Sequence, residues 1–207
     1  MVRKRLEYES EPLESVDVDP FLQFGSWLQE AVVAGIPEPE AFVLATVDRL
    51  GAPSARTLLM RGFDRDGVVF YTNYQSRKAL ELTQNPRVAV VFLWLPLHRQ
   101  VRLEGTVEVV EPETSDAYFA SRPPESRLAS AASPQSEVVA DRAQLDAFLA
   151  QVSALYPDGN VPRPAHWGGY RIRPHLFEFW QGRRARFHDR FRYRQSGGEW
   201  IVERLAP

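Results

Sequence analysis

The chain is 207 residues long, 44% hydrophobic and 25% charged, with a formal net charge of −2, an ordinary composition for a globular protein that can bury a substantial core. It has no cysteine, which excludes disulfides, thiolate zinc sites, iron–sulfur clusters and cysteine nucleophiles. The first residues are acidic where a secretory signal needs an apolar run, and no stretch approaches the ~18 apolar residues of a membrane span, so the expected address is the cytoplasm.

Residues 1–18 are polar, acidic and without period, and predict a flexible arm ahead of one domain over 19–207. From Pro20 to Ala34 apolar residues recur at helical spacing, and Gly35 and Pro37 stop the helix. Strand-like runs follow at 42–48, 54–60, 67–73, 87–95 and 99–111, the first two joined by a turn signal at 49–53. A helix from Ser76 to Gln84 interrupts them, with Ser76 as N-cap and Asn85-Pro86 closing it. Between Pro112 and Leu155 the pattern is helical in three pieces; after a proline-rich connector, strands resume at 170–182, 185–194 and 199–205. The expected fold is mainly β, a single barrel with peripheral helices whose last strands complete a sheet begun by the first.

All basic residues except Lys4 and Lys78 are arginine. Near-zero net charge argues against bulk nucleic-acid affinity, whereas converging guanidinium groups suit bidentate capture of phosphate or carboxylate. There is no G-x-G-x-x-G and no G-x-x-x-x-G-K-[ST], and the four histidines lack short metal-ligand spacing, so no metal is expected.

Three segments carry chemistry. Tyr71–Lys78 runs from a strand end into a helix start, where free N–H groups beside Ser76, Arg77 and Lys78 would make a compact phosphate site; an N-cap followed by two solvated cations is the competing reading. In 184–194, strand alternation places Arg186, His188, Arg190, Arg192 and Arg194 on one face and Phe187, Phe191 and Tyr193 on the other. So many like charges call for an anionic ligand near the first half, unless this is a wet outer strand. Tyr118, Arg122 and Ser126 are spaced by four, as on one helix face, although Pro123-Pro124 argues against a continuous helix. Their hydroxyl, guanidinium and hydroxyl suit a phosphate monoester. Gln100 and Gln135-Ser136 offer groups for a heterocycle edge, and Trp180 could wall a flat ring.

In order along nearly the whole chain, R-x-E-Y at 5–8, RTLLMR at 56–61, FYTNYQSRKA at 70–79, NPRV at 85–88, RQVRLEG at 99–105, YFASRPPES at 118–126, PQS at 134–136, WGGYRI at 167–172, FWQG at 179–182, RFHDRFRY at 186–193 and the terminal RLAP together resemble the pyridoxine/pyridoxamine 5′-phosphate oxidase family. The resemblance implies a homodimeric split β-barrel with FMN at the subunit interface. The implied reaction oxidises the 4′ carbon of pyridoxine or pyridoxamine 5′-phosphate with O2, giving pyridoxal 5′-phosphate and H2O2. It further implies FMN contacts from Arg56, Thr57, Leu58, Leu59, Met60, Arg61, Tyr71, Thr72, Arg77, Lys78, Gln100, Gln135, Ser136, Trp180 and Arg190. Arg61, Tyr118, Arg122 and Ser126 would grip the substrate phosphate, Arg186 and His188 would sit over its ring as the catalytic pair, and Arg5 and Tyr8 would belong to a closing lid. One departure is Arg61, where the family commonly has lysine; its planar, larger head alters phosphate geometry and hence substrate affinity. Arg56 and Arg61 would also face opposite sides of an unbroken strand, so the strand should end before Arg61 or act there through its backbone. A related phenazine-type flavin oxidase and a non-catalytic flavin or pyridoxal-phosphate carrier are the competing functions.

Overall fold

A computed structural model describes residues 7–8 and 10–207. Helix α1 (Pro20–Val33) starts where the Asp19 carboxylate accepts the Phe21 N–H, with Pro20 in the first turn. Its buried stripe of Phe24, Trp27 and Ala31 plugs the sheet, Phe24 meeting Phe92 at 5.0 Å and Trp27 meeting Phe179 edge-on at 5.2 Å. Burying each such ring is worth ~1.5–3 kcal/mol.

The strands are β1 (Ala41–Val47), β2 (Pro53–Leu59), β3 (Gly62–Asp64), β4 (Gly67–Asn73), β5 (Arg87–Trp94), β6 (Arg99–Val109), β7 (Trp167–Gln181), β8 (Asp189–Ser196) and β9 (Glu199–Leu205). They pair antiparallel in the order β2-β1-β5-β6-β7-β4-β3, with β8 and β9 branching from β7. The two ends of that path, β2 and β3, are joined in the chain by Met60 and Arg61 alone, so the path curls back on itself. Hydrogen bonds from Met60 N to Glu40 O and from Arg61 N to Val69 O close the curl. The fold is mainly β with peripheral helices, as the strand spacing predicts.

The sheet splits at a readable place. The first part of β7, 167–172, pairs with β4, and 176–181 pairs with β8, while β6 follows its other edge throughout. Pro174 lies between the two halves and cannot donate, and beside it the pairing with β6 shifts at Glu104/Gly105, leaving His175 of β7 as the extra residue. Alternation along β5 (Val88, Val90, Phe92, Trp94) and β7 (Phe177, Phe179) fills the core.

Helix α2 is Arg77–Gln84, and the 112–155 region forms α3 (Pro112–Ser121), α4 (Pro124–Ala132) and α5 (Arg142–Leu155). One expectation changes, in the C-terminal strands. Within 1–18, Leu13 N donates to Asp189, Arg204 donates to Leu13 O and Glu14 O, and the Tyr193 hydroxyl donates to Asp17 O. These partners lie more than 170 residues away, beyond what local composition reports. The expected strand over 185–194 begins only at Asp189, because 184–186 form a 3-10 turn with Ala185 and Arg186 at φ 54° and 63°. Arg186 and His188 therefore precede the strand, and Phe187 is exposed rather than inward.

Candidate active site

The predicted residues gather in three places. The first is the N-terminus of α2. Ser76 occupies the N-cap position, but its hydroxyl donates to Asn73 O instead of capping the helix. Lys78 is not a solvated cation: it is buried, and Nζ lies 3.1 Å from Thr72 Oγ1, 3.3 Å from Ser76 Oγ and 2.9 Å from Gln135 Oε1. Burial, then the nearby Arg56 charge, push its pKa down to about 8, with Glu81 pulling the other way. Arg77 is exposed and pairs with Glu81 one turn on, at 2.8 Å. Arg56 reaches Glu81 at 3.3 Å and also donates to Thr46 Oγ1, Ser54 Oγ and Leu44 O. Burial alone would raise the Glu81 pKa; hydrogen bonds from Ser54, Thr46, Arg77 and Arg56 overcome it and bring the value to about 2. Three cations thus share one carboxylate, and the most buried of them has only neutral hydrogen-bond partners. That excess of positive charge at a helix N-terminus fits a phosphate dianion. Ser136, beside Gln135, is exposed and left-handed at φ 75°.

The second place is a cavity of ≈ 600 Å³ lined by Leu59, Arg61, Tyr71, Thr72, Tyr118, Arg122, Ser126, Gln135 and Trp167, among others. It adjoins the α2 cluster through Thr72 and Gln135. Strand β2 ends at Leu59, so Arg61 escapes the parity of Arg56 and reaches this cavity. Its guanidinium lies 3.9 Å from Glu40. Tyr118 closes α3, Ser126 opens α4, and Arg122 sits extended between them because Pro123 disfavours helical geometry before it. The four-residue spacing thus brings the three together across a helix break, not along one face. In β2 Leu58 packs against the core and Thr57 is exposed; Met60, just past the strand, is 7% exposed and its side chain packs in the core.

The third place is a second cavity of ≈ 600 Å³, lined by Glu7, Tyr8, Trp180, Arg183, Ala185, Arg186 and His188. Tyr8 packs on His98 at 4.5 Å and on Trp180 and His188 at 5.9 Å each. His188 Nδ1 accepts the Arg183 N–H, which leaves Nε2 as the protonated nitrogen, and desolvation lowers its pKa, so the ring is held neutral. Two successive left-handed residues aim Arg186 at this cavity, backbone strain of the kind stored at working sites. Gln100, Trp180 and Arg190 form one cross-strand row over β6, β7 and β8. Arg5 lies outside the described residues.

The arginine run of β8 is more neutral than its sequence implies. Arg190 binds Glu178 at 2.9 Å, and Arg192 and Arg194 bind Glu203 at 2.6 and 3.1 Å. Carboxylates on neighbouring strands pair with all three.

The residue-level reading missed Glu81 and Trp167. The signal for Trp167 was the pair of glycines after it, since glycines inside a strand mark a close approach. A Cβ on Gly169 would come 2.8 Å from the Tyr71 ring and one on Gly168 would overlap the Tyr74 hydroxyl.

Residues 28–156 match the family model described as pyridoxamine 5′-phosphate oxidase, and residues 167–207 match the pyridoxine 5′-phosphate oxidase C-terminal dimerisation region. The chain belongs to the pyridoxine/pyridoxamine 5′-phosphate oxidase family. Relatives of that name include one from Paraburkholderia phymatum, 51% identical over 100% of this chain and 97% of its own, and one from Acaryochloris marina, 51% identical over 98% and 94%. Among solved structures, PhzG from Burkholderia lata in complex with tetrahydrophenazine-1-carboxylic acid superposes with a TM-score of 0.91 at 32% identity, covering 97% of this chain and 100% of that one. A pyridoxamine 5′-phosphate oxidase-related, FMN-binding protein from Nostoc punctiforme shares the fold, with a TM-score of 0.74 at 19% identity, covering 93% and 100%.

Proposed function

We propose that this protein oxidises pyridoxine and pyridoxamine 5′-phosphates to pyridoxal 5′-phosphate with O2, as an FMN-dependent homodimer of the cytoplasm. The observation that carries the reading is the cation excess around buried Lys78, set beside the Arg61, Tyr118, Arg122 and Ser126 cavity. Two adjacent anion sites are what a flavin phosphate and a substrate phosphate require.

FMN, when bound, supplies two-electron acceptance from the substrate 4′ carbon and return of those electrons to O2 as H2O2. The chain's residues do the rest. Lys78, Arg77 and Arg56, with Gln135 and Ser136, hold the FMN phosphate and its chain; Thr72, Tyr71, Gln100, Trp180 and Arg190 border the ring. Arg61, Tyr118, Arg122 and Ser126 fix the substrate phosphate, so that the reacting carbon arrives oriented rather than by chance. Neutral His188 donates through Nε2, and Arg186 brings positive charge to the pyridine ring. Tyr8 covers the Trp180 and His188 side against water. Within one chain the phosphate grip and the Arg186/His188 pair line separate cavities, which a homodimer would reconcile if one subunit's grip faces the other subunit's pair.

The test is purified protein with FMN and pyridoxamine 5′-phosphate in air, followed for aldehyde and peroxide. The reading predicts both in equal amounts, with none when FMN is withheld. Binding of both molecules without aldehyde would make the protein a carrier instead.

A further inference from the structure

We propose that Trp167, together with Ser130, is a positioning residue for the substrate anion, holding the Arg122 guanidinium toward the Tyr118 cavity. The inference rests on the phosphate-gripping role given to Arg122 above.

An arginine at a helix break has a long side chain whose ordering costs conformational entropy. The protein orders this one beforehand. The Arg122 Cζ lies 4.7 Å from the centre of the Trp167 ring and 5.7 Å from that of Phe119, and Nη1 donates to Ser130 Oγ at 2.7 Å. Trp167 is itself immobile: 6% exposed, edge-packed on Phe119 at 5.0 Å, and parallel to Tyr71 at 5.5 Å and to Tyr118 at 6.2 Å. Gly169, two residues on, leaves space for the Tyr71 ring of this stack.

The chemistry of the partners matters as much as their geometry. Most arginines on the sheet are held by carboxylates, which fix the side chain and cancel its charge. Among the described residues Arg122 has no carboxylate partner; an indole face and a hydroxyl hold it. A π face attracts the cation without neutralising it, so the full charge remains for an incoming anion. The neighbouring Arg61, whose guanidinium also lies 3.9 Å from Glu40, lines the same cavity with Tyr118 and Ser126.

The experiment uses the FMN-loaded dimer and reads steady-state constants for pyridoxamine 5′-phosphate, the Kd for pyridoxal 5′-phosphate and the Kd for FMN. Trp167→Leu is expected to raise KM and the pyridoxal 5′-phosphate Kd about ten-fold, with kcat and FMN Kd moving less than about two-fold. Trp167→Phe keeps a π face and should stay within about three-fold of the parent, while Ser130→Ala should raise KM about three-fold. Unchanged KM and pyridoxal 5′-phosphate Kd in both Trp167→Leu and Ser130→Ala would overturn the inference, as would a Phe variant as impaired as the Leu variant. Should Trp167→Leu fail to fold, Ser130→Ala, on an exposed helix, decides alone. A parent protein that binds pyridoxal 5′-phosphate without oxidising the amine would sink the oxidase reading instead, and the binding constants would still test Trp167.

Discussion

Two arginine-rich regions of this molecule differ in how their charge is answered. Along β8, Arg190, Arg192 and Arg194 meet Glu178 and Glu203 across neighbouring strands, so a run that looks cationic in sequence is paired in the fold. At the start of α2, Arg56, Arg77 and Lys78 share Glu81, and Lys78 is buried among neutral oxygens. The lesson is that counter-ions, not the number of basic residues, locate an anion site. A paired arginine has much of its charge answered within the fold, whereas a buried cation without its own carboxylate keeps its charge for an anionic ligand.

The strongest way to break the comparison is Lys78→Met. Hydrogen bonds to charged groups are worth ~1.5–3 kcal/mol, so the FMN Kd, read by flavin fluorescence quenching, should rise up to about a hundred-fold. A rise below about three-fold would place the phosphate elsewhere.

The pH dependence sharpens the same contrast. Lys78 has a folded pKa of about 8, below its ordinary value of 10.5, so the unfolded chain binds more protons between those values. Stability of the flavin-free protein should therefore gain from this group as pH rises from about 8 toward 10.5, the burial penalty being fully present below about 8. Phosphate favours the charged lysine, so FMN affinity should do the opposite and fall up to about ten-fold per pH unit above that point. Titration calorimetry in buffers of different ionisation heat should show proton uptake on FMN binding at pH 9. Flat affinity across this window would remove Lys78 from the phosphate site.

The smallest effect belongs to the paired region. Glu203→Gln strips Arg192 and Arg194 of their partner at a partly exposed position, where ion pairs contribute little. FMN affinity should stay within about two-fold and the melting temperature within about 2 °C. A large loss of flavin would show that the β8 arginines are more than architecture.

Much of the fold is legible in the chain because its signals are local. The β4 run between Gly67 and Asn73 and the β9 run from Glu199 to Leu205 are bounded by turn residues, and their bounds coincide with expectation. Strand β3, three residues long, is too short to show a period. The alternating arginines and aromatics from 186 onward imitate a strand across a segment that turns, because the left-handed Ala185 and Arg186 carry no glycine to announce them. Tyr118, Arg122 and Ser126 do converge, although Pro123 makes the meeting a helix break. Glu81 stayed hidden because its bond to Arg56 depends on how α2 lies over β1 and β2, which no local pattern reports. The row of Gln100, Trp180 and Arg190 exists only in the pairing register, which no single segment contains.

The central claim is that the working site is assembled from the Arg122 half of one subunit and the Arg186 half of the other. Mixing inactive Arg122→Ala and Arg186→Leu dimers under conditions of subunit exchange tests it directly. Each mixed dimer then holds one site with both arginines intact, so random exchange should restore about a quarter of the parent activity. Activity that stays at the level of the two separate variants after confirmed exchange would contradict the account, because both halves would then have to come from one chain.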